Sequence, residues 1–347
     1  MIYLNRSREI SQDEWHQILS ELDLLDKLKS ARTIAVKPNF AAGTYVDPKT
    51  HVMSDLYLLR SFIEYIGTEN EHAQIYIVES DSTGNGFAYL KFERLGLPDS
   101  LNISGNIAER VHCLDLTRDR LRLIDIRNEF RTFNTVDKQL LLSEQLLDMD
   151  FLVSLSNLKM HSVTGYTGAC KNLFGCLPAF DKSVYHPRIH KVIHDLVLTL
   201  MPDLNIVDAF YGMERNGPVQ GIDKDSGYRV ISNDAVEADD YAAASVGINP
   251  ENIEYLKLLH KTQGTQMSEF DGIITKYRKP QIFLRMMNRV GLSIQGIGAG
   301  IESFGHRVHT CYSPLVLGIV IVRPILVRLI DINTLKHIKQ KVFKKYL

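Results

Sequence analysis

Lys159, His161 and Lys171 stand in one run, Asn157 to Pro178, together with Thr164, Gly165, Gly168, Asn172 and Gly175. These residue types could hold a small anion and move a proton. An ammonium seats a carboxylate or phosphate, and an imidazole or a lysine of depressed pKa serves as acid or base. His161 lies two residues past Lys159, so in an extended segment both face one side of the chain. Glycines let the backbone come close to a ligand, and a glycine-rich turn entering a helix points free N–H groups at an anion. The plainer reading is a surface loop whose glycines serve turns, with His161 bonded to a backbone carbonyl and Lys171 in solvent.

Other candidates sit where apolar runs end. Asp208 closes Leu204 to Val207, and Glu214 follows it within a glycine-flanked loop. Carboxylates placed so could hold a divalent metal or form an acid–base pair, or they could cap turns. Lys37 and Asn39 end one apolar run, and Glu79 ends another. His186, His190 and His194 recur at metal-ladder spacing, but Ile189, Ile193, Leu196 and Leu200 form the buried stripe, which puts His190 and His194 on its polar flank. No nucleophile elbow, phosphate loop or dinucleotide fingerprint occurs, so hydrolase, nucleoside-triphosphatase and nicotinamide readings lack support.

These residues need strands to position them. Thr33 to Val36, Gln74 to Glu79, Phe151 to Leu155 and Leu204 to Val207 read as buried strands, and such strands present ligands at their carboxyl ends. Helices are expected over Ser11 to Leu28, capped by Ser11, and over Ser54 to Ile66, Leu140 to Leu147, Pro187 to Leu200, Asp234 to Val246 and Pro250 to Lys261. Arg110 to Arg131 reads as a solvated hairpin or edge pair. The strand–helix–strand order with short turns gives an α/β fold, with a mixed or mostly parallel sheet flanked by helices.

The signature run resembles the domain of unknown function 362 family, prokaryotic proteins often fused to ferredoxin-like iron–sulfur modules. Its pattern is matched by Lys159, His161, Thr164, Gly165, Gly168, Lys171, Asn172 and Gly175. Further matches are Lys37-Pro38-Asn39, Asp208 with Gly212-Met213-Glu214 and Asn216-Gly217-Pro218, and the pair Asp234 and Asp239, so that the resemblance spans roughly Thr33 to Gly264. It leaves activity open; the residue types and their placement give an expected substrate-binding part to Lys37, Asn39, Thr164, Gly165, Gly168, Asn172 and His186, and a catalytic part to Lys159, His161, Lys171 and Glu214. Asp208 and Glu214 are the residues expected at any metal. Arg215 stands where relatives often have glycine, and Met160 replaces their usual threonine or serine.

Composition sets the outer bounds. Apolar residues make up 45% and charged residues 23% of 347, as in globular proteins. Cys113, Cys170, Cys176 and Cys311 form no C-x-x-C pair, which speaks against an iron–sulfur cluster and leaves the cofactor unknown apart from the divalent metal. From Asp271 onward 13 Lys or Arg face 3 Asp or Glu, so this tail carries about +10 and the rest about −11. An acidic body argues against a nucleic-acid partner. The division expected is a core over 1–265 and a basic, apolar extension over 266–347. That extension either packs on the core, forms a homodimer contact or meets an anionic membrane surface. With no signal pattern in MIYLNRSREIS, the expected location is cytoplasmic, including the inner face of a membrane. The function expected is an enzyme acting on a small anionic substrate by proton or group transfer. The alternatives are a non-catalytic redox accessory and a membrane-surface partner protein with a ligand-binding cleft.

Overall fold

The computed structural model describes residues 1–40, 52–82, 86–103, 105–131, 136–179, 181–215, 217, 221–267, 270 and 272–280. Its strands are β1 (Ile2–Asn5), β2 (Thr33–Pro38), β3 (Gln74–Glu79), β4 (Val111–Asp115), β5 (Leu121–Arg131), β6 (Val136–Ser143), β7 (Phe151–His161), β8 (Gly165–Thr167), β9 (Leu204–Glu214), β10 (Ile222–Asp225) and β11 (Arg229–Ser232). The helices are α1 (Gln12–Glu21), α2 (Leu25–Ser30), α3 (Leu56–Glu69), α4 (Ala88–Leu95), α5 (Glu144–Leu147), α6 (Ala169–Asn172), α7 (Ile189–Leu200), α8 (Ala235–Ser245) and α9 (Glu254–Gln263). The main sheet runs β1-β11-β9-β7-β2-β3-β4, with β8 added to β7 and β10 to β9. Its centre, β9-β7-β2-β3-β4, is parallel, and the pairings of β1, β8, β10 and β11 are antiparallel. This is the α/β mixed sheet expected.

Both faces of the central strands are covered, which is why they read as apolar runs without alternation. Ile34, Val36, Ile75, Ile77, Val153 and Leu155 pack with α1, α2 and α3, where Trp15 lies against Phe62 at 4.8 Å between ring centres. Ala35, Leu152, Val207 and Val230 face the other way, toward α6 to α9. The consequence is that a side chain at a strand's carboxyl end has few directions open to it.

Four sequence expectations shift. The helix expected over Ser11 to Leu28 is two helices, because Asp23 turns left-handed at φ 57° between α1 and α2; Ser11 does cap α1, accepting from the Glu14 N–H at 3.2 Å. Leu140 to Ser143, expected in a helix, pairs as β6 with β5, and the helix is confined to the short α5. β7 continues through Lys159 and His161, so these residues are in the strand and not after it. Finally, the core does not stop at 265. Ile274 and Thr275 donate to the Ser245 carbonyl and Tyr277 to that of Val246, so residues through Pro280 belong to the same compact unit. The apolar tail runs Phe283 to Ile301 and Tyr312 to Ile330, and the lysines from Lys336 to Lys345, lie outside the described residues, as does Cys311.

Candidate functional site

Register across β8, β7, β9 and β10 sets Thr167, Lys159, Met213 and Asp223 side by side. Lys159 is wholly buried, and its ammonium donates to Asn39 Oδ1 at 3.3 Å and to the Val52 carbonyl. Asn39 is held in turn by its N–H to Ser54 Oγ at 2.7 Å, and Ser54 donates to the Leu155 carbonyl at 2.9 Å. Burial, then the like charge of Lys171, pulls the Lys159 pKa down to about 7 against the pull of Asp223. Thr167 Oγ is also buried, with no hydrogen-bond partner among the described residues.

One alternation further along β7, His161 faces the same way. Its Nδ1 accepts from the Val163 and Thr164 N–H groups at 3.1 and 3.2 Å, inside the turn that Gly165 closes. This replaces the plainer reading of a histidine bonded to a backbone carbonyl. Thr164 spends its hydroxyl on the Tyr166 carbonyl at 2.8 Å. Burial first, then Lys171, His186, Lys159 and His190, holds His161 well below the ordinary histidine range. Those five residues therefore share one electrostatic neighbourhood. Lys171 is half-buried with its pKa lowered by desolvation to about 8, and among the described residues it has no hydrogen-bond or ion-pair partner. His186 stacks on Phe174 at 6.2 Å, and His190 stacks on Tyr255 at 6.1 Å with Glu254 at 3.6 Å. His194 turns away to Asp195 and Thr262.

Two N–H groups of the glycine-rich turn are already taken within the protein. Those of Ala169 and Cys170 donate to Asp239 at 2.6 and 3.1 Å, and the Tyr166 and Tyr255 hydroxyls reach the same carboxylate at 3.4 and 3.3 Å. The anion for which the loop was shaped is the protein's own. Burial raises the Asp239 pKa to about 7 in spite of the two backbone donors. Gly168 is needed here because an added Cβ would sit 2.1 Å from Asp239 Oδ1. Asp234, the other acidic match, caps α8.

A second cationic group lies beneath Gly175, where an added Cβ would come within 2.8 Å of Lys37 Nζ. Lys37 pairs with Glu79 at 3.0 Å, Lys91 donates to the Ser80 carbonyl at 3.2 Å, and Lys182 donates to Ser80 Oγ at 2.6 Å. All are buried. Asn172 ties this group to the strands through Lys37 O at 2.9 Å and Ser154 Oγ at 3.2 Å. Desolvation works against an ionised Glu79, but Lys37, Lys91 and Lys182, with the Ser80 N–H, outweigh it and hold the carboxyl at about 2. Burial lowers Lys182 to about 7 and lowers Lys91 as well. Sequence reasoning missed Lys91 and Lys182. Nothing in their local pattern separates them from solvated lysines, and only the sheet's carboxyl edge brings them to Glu79.

Asp208 and Glu214 each pair with an arginine. Asp208 lies 3.2 Å from Arg229 Nε and accepts from the Phe210 N–H, while Glu214 accepts from the Arg278 N–H at 2.9 Å and pairs with its guanidinium. Among the described residues no group of three or more His, Cys, Asp or Glu is arranged to hold a metal ion. Arg215 adopts the glycine conformation expected from the resemblance, φ 69°, with its N–H on the Arg278 carbonyl at 2.8 Å. Asn216 and Pro218 lie outside the described residues. Cys170 and Cys176 are buried thiols pushed up, the latter to about 12, so neither is a ready thiolate. A hollow lined by Thr33, Asp119, Glu144 and Asp148 opens at the amino end of β2, the far end from Lys37, and has no part in this site.

Glu79 is the counter-charge of three buried ammonium groups, which makes its replacement a direct test. Glu79→Gln should lower stability by about 3–5 kcal/mol at pH 7, the usual result of stripping one partner from a buried ion pair. Urea unfolding measures this. The loss should shrink toward pH 9, because lysines whose folded-state pKa is depressed shed their protons there. In the wild type, a folded-state pKa of about 2 means that the stability contributed by Glu79 is lost as pH falls through the acid range toward that value.

The sequence profile described as Domain of unknown function (DUF362) matches residues 34–244. A thylakoid-associated protein of Synechocystis sp. is 30% identical over 238 residues, covering 65% of this chain and 72% of its own length. The lactate racemase apoprotein from Thermoanaerobacterium thermosaccharolyticum aligns with a TM-score of 0.38 and 11% identity, over 67% of this chain and 57% of that one. The chain thus spans little more than half of that structure's length. Because the profile runs from β2 into α8, through every residue of the lysine and histidine cluster, the protein belongs to the domain of unknown function 362 family.

Proposed function

We propose that this chain is an enzyme that binds a small carboxylate or phosphate at the carboxyl end of β7 and acts on it by proton or group transfer. The observation that carries the reading is Lys171, an ammonium with no partner among the described residues, set beside Lys159, His161, His186 and His190. Groups of like sign and low pKa held together favour whatever anion completes them. Lys171 seats the charge. Lys159, oriented by Asn39 and with a pKa of about 7, is the group able to take or give a proton near neutral pH. Thr167 has a hydroxyl without a hydrogen-bond partner among the described residues, on the same face as Lys159.

Titration calorimetry with inorganic phosphate and a panel of small carboxylates tests this. Lys171→Met should weaken binding by roughly tenfold or more, the worth of a hydrogen bond to a charged group, while the melting temperature holds or rises because a desolvated charge is gone. A panel that binds both proteins equally, or neither, would contradict the reading. Because both lysines must be protonated to attract the anion, affinity should be highest below about pH 7. It should fall as pH rises through the Lys159 and Lys171 values of about 7 and 8.

A second reading, contact with a membrane surface, is favoured by the relative described as thylakoid-associated and by the basic, apolar tail. Among the described residues no helix is long and apolar enough to cross a membrane. The contact proposed is peripheral. The full chain should sediment with anionic vesicles, less so as salt rises, and a chain ending at Pro280 should not. Equal sedimentation of the two would sink this reading.

A further inference from the structure

Two backbone N–H groups converge on a single nitrogen of His161, Val163 and Thr164 both donating to Nδ1. A nitrogen that accepts two hydrogen bonds carries no proton, so the hydrogen of the neutral ring is on Nε2. Protonating Nδ1 would set a third N–H against the other two and undo the turn between β7 and β8. The surroundings press in the same direction. The charges of Lys171 on α6, His186 in the turn before α7, Lys159 on β7 and His190 on α7 each oppose a positive charge on it. No described residue accepts from Nε2, and that edge is not sealed, since the residue stays 8% exposed and Nε2 is not among the buried unpartnered atoms.

We infer that His161 is a neutral hydrogen-bond donor, fixed in one tautomer, whose Nε2–H takes an oxygen of the anion seated by Lys171. It cannot serve as a base, because the only nitrogen that could accept a proton is already engaged. Proton transfer then falls to Lys159. This rests on the anion site proposed above and gives its oxyanion two contacts, the Lys171 charge and the His161 N–H. Such an arrangement polarises the bound group without changing its own protonation state.

Two measurements test the inference. In the full chain labelled with nitrogen-15 at its 12 histidines, long-range proton–nitrogen spectra should show His161, identified by its loss in a variant, with a protonated Nε2, a bare Nδ1 and no titration from pH 5 to 8. The second measurement uses His161→Asn, whose side-chain oxygen can still accept from Val163 and Thr164 but which has no donor at the Nε2 position. It should melt close to the wild type yet bind inorganic phosphate roughly tenfold more weakly. An imidazolium forming in that pH range, the opposite tautomer, or unchanged phosphate affinity in His161→Asn would overturn the inference. If the tautomer is as stated but phosphate fails to bind the wild type, the proton assignment holds and the anion-site reading falls.

Discussion

The site depends on one buried carboxylate. Asp239 takes the first N–H groups of α6 and two tyrosine hydroxyls, and in doing so holds the turn from Gly165 to Asn172 against α8. Without it, two N–H groups would be buried and unsatisfied, at a cost of about 1–3 kcal/mol each. Because Asp239 occupies the place a ligand would take at such a turn, the loop's function is positional. It sets Lys171 one helical turn past Gly168, where its charge reaches Lys159 and His161 on β7.

Around that anchor the distribution of charge is uneven. Glu79 answers three lysines beneath Gly175, and that group is closed and internally bonded. The β7 group has Asn39 and a carbonyl for Lys159, and nothing described for Lys171. A desolvated cation without a partner lowers its pKa or acquires one. The two lysine groups thus differ in kind: in one the cations gather on Glu79, and in the other no described residue pairs with Lys171. Asn172 joins them through the Lys37 carbonyl and Ser154.

Much of this was legible in the sequence. The apolar runs ending at Lys37, Glu79 and Asp208 are strands because both of their faces are buried, and the crossover order fixes them as parallel. Lys159 and His161 face one way because strand alternation allows little else. What was not legible depends on contacts between distant segments. That Arg278 would claim Glu214, and that Lys91 and Lys182 would gather on Glu79, follow only from tertiary packing. The glycine turn was read as a ligand's anion seat, and Asp239, some seventy residues on, already fills it. The helix expected at Leu140 to Ser143 lost to pairing with β5, since a strand partner outweighs propensity in so short a segment.

The central claim is that Lys159 and Lys171 are depressed, like-charged neighbours awaiting an anion. The most direct measurement is the titration of lysine side chains labelled with carbon-13 beside the ammonium group, assigned by single substitutions, with and without inorganic phosphate. The account predicts pKa values near 7 for Lys159 and near 8 for Lys171 in the free protein, both rising when phosphate is present. Ordinary lysine values near 10.4 for both, unmoved by phosphate, would contradict it.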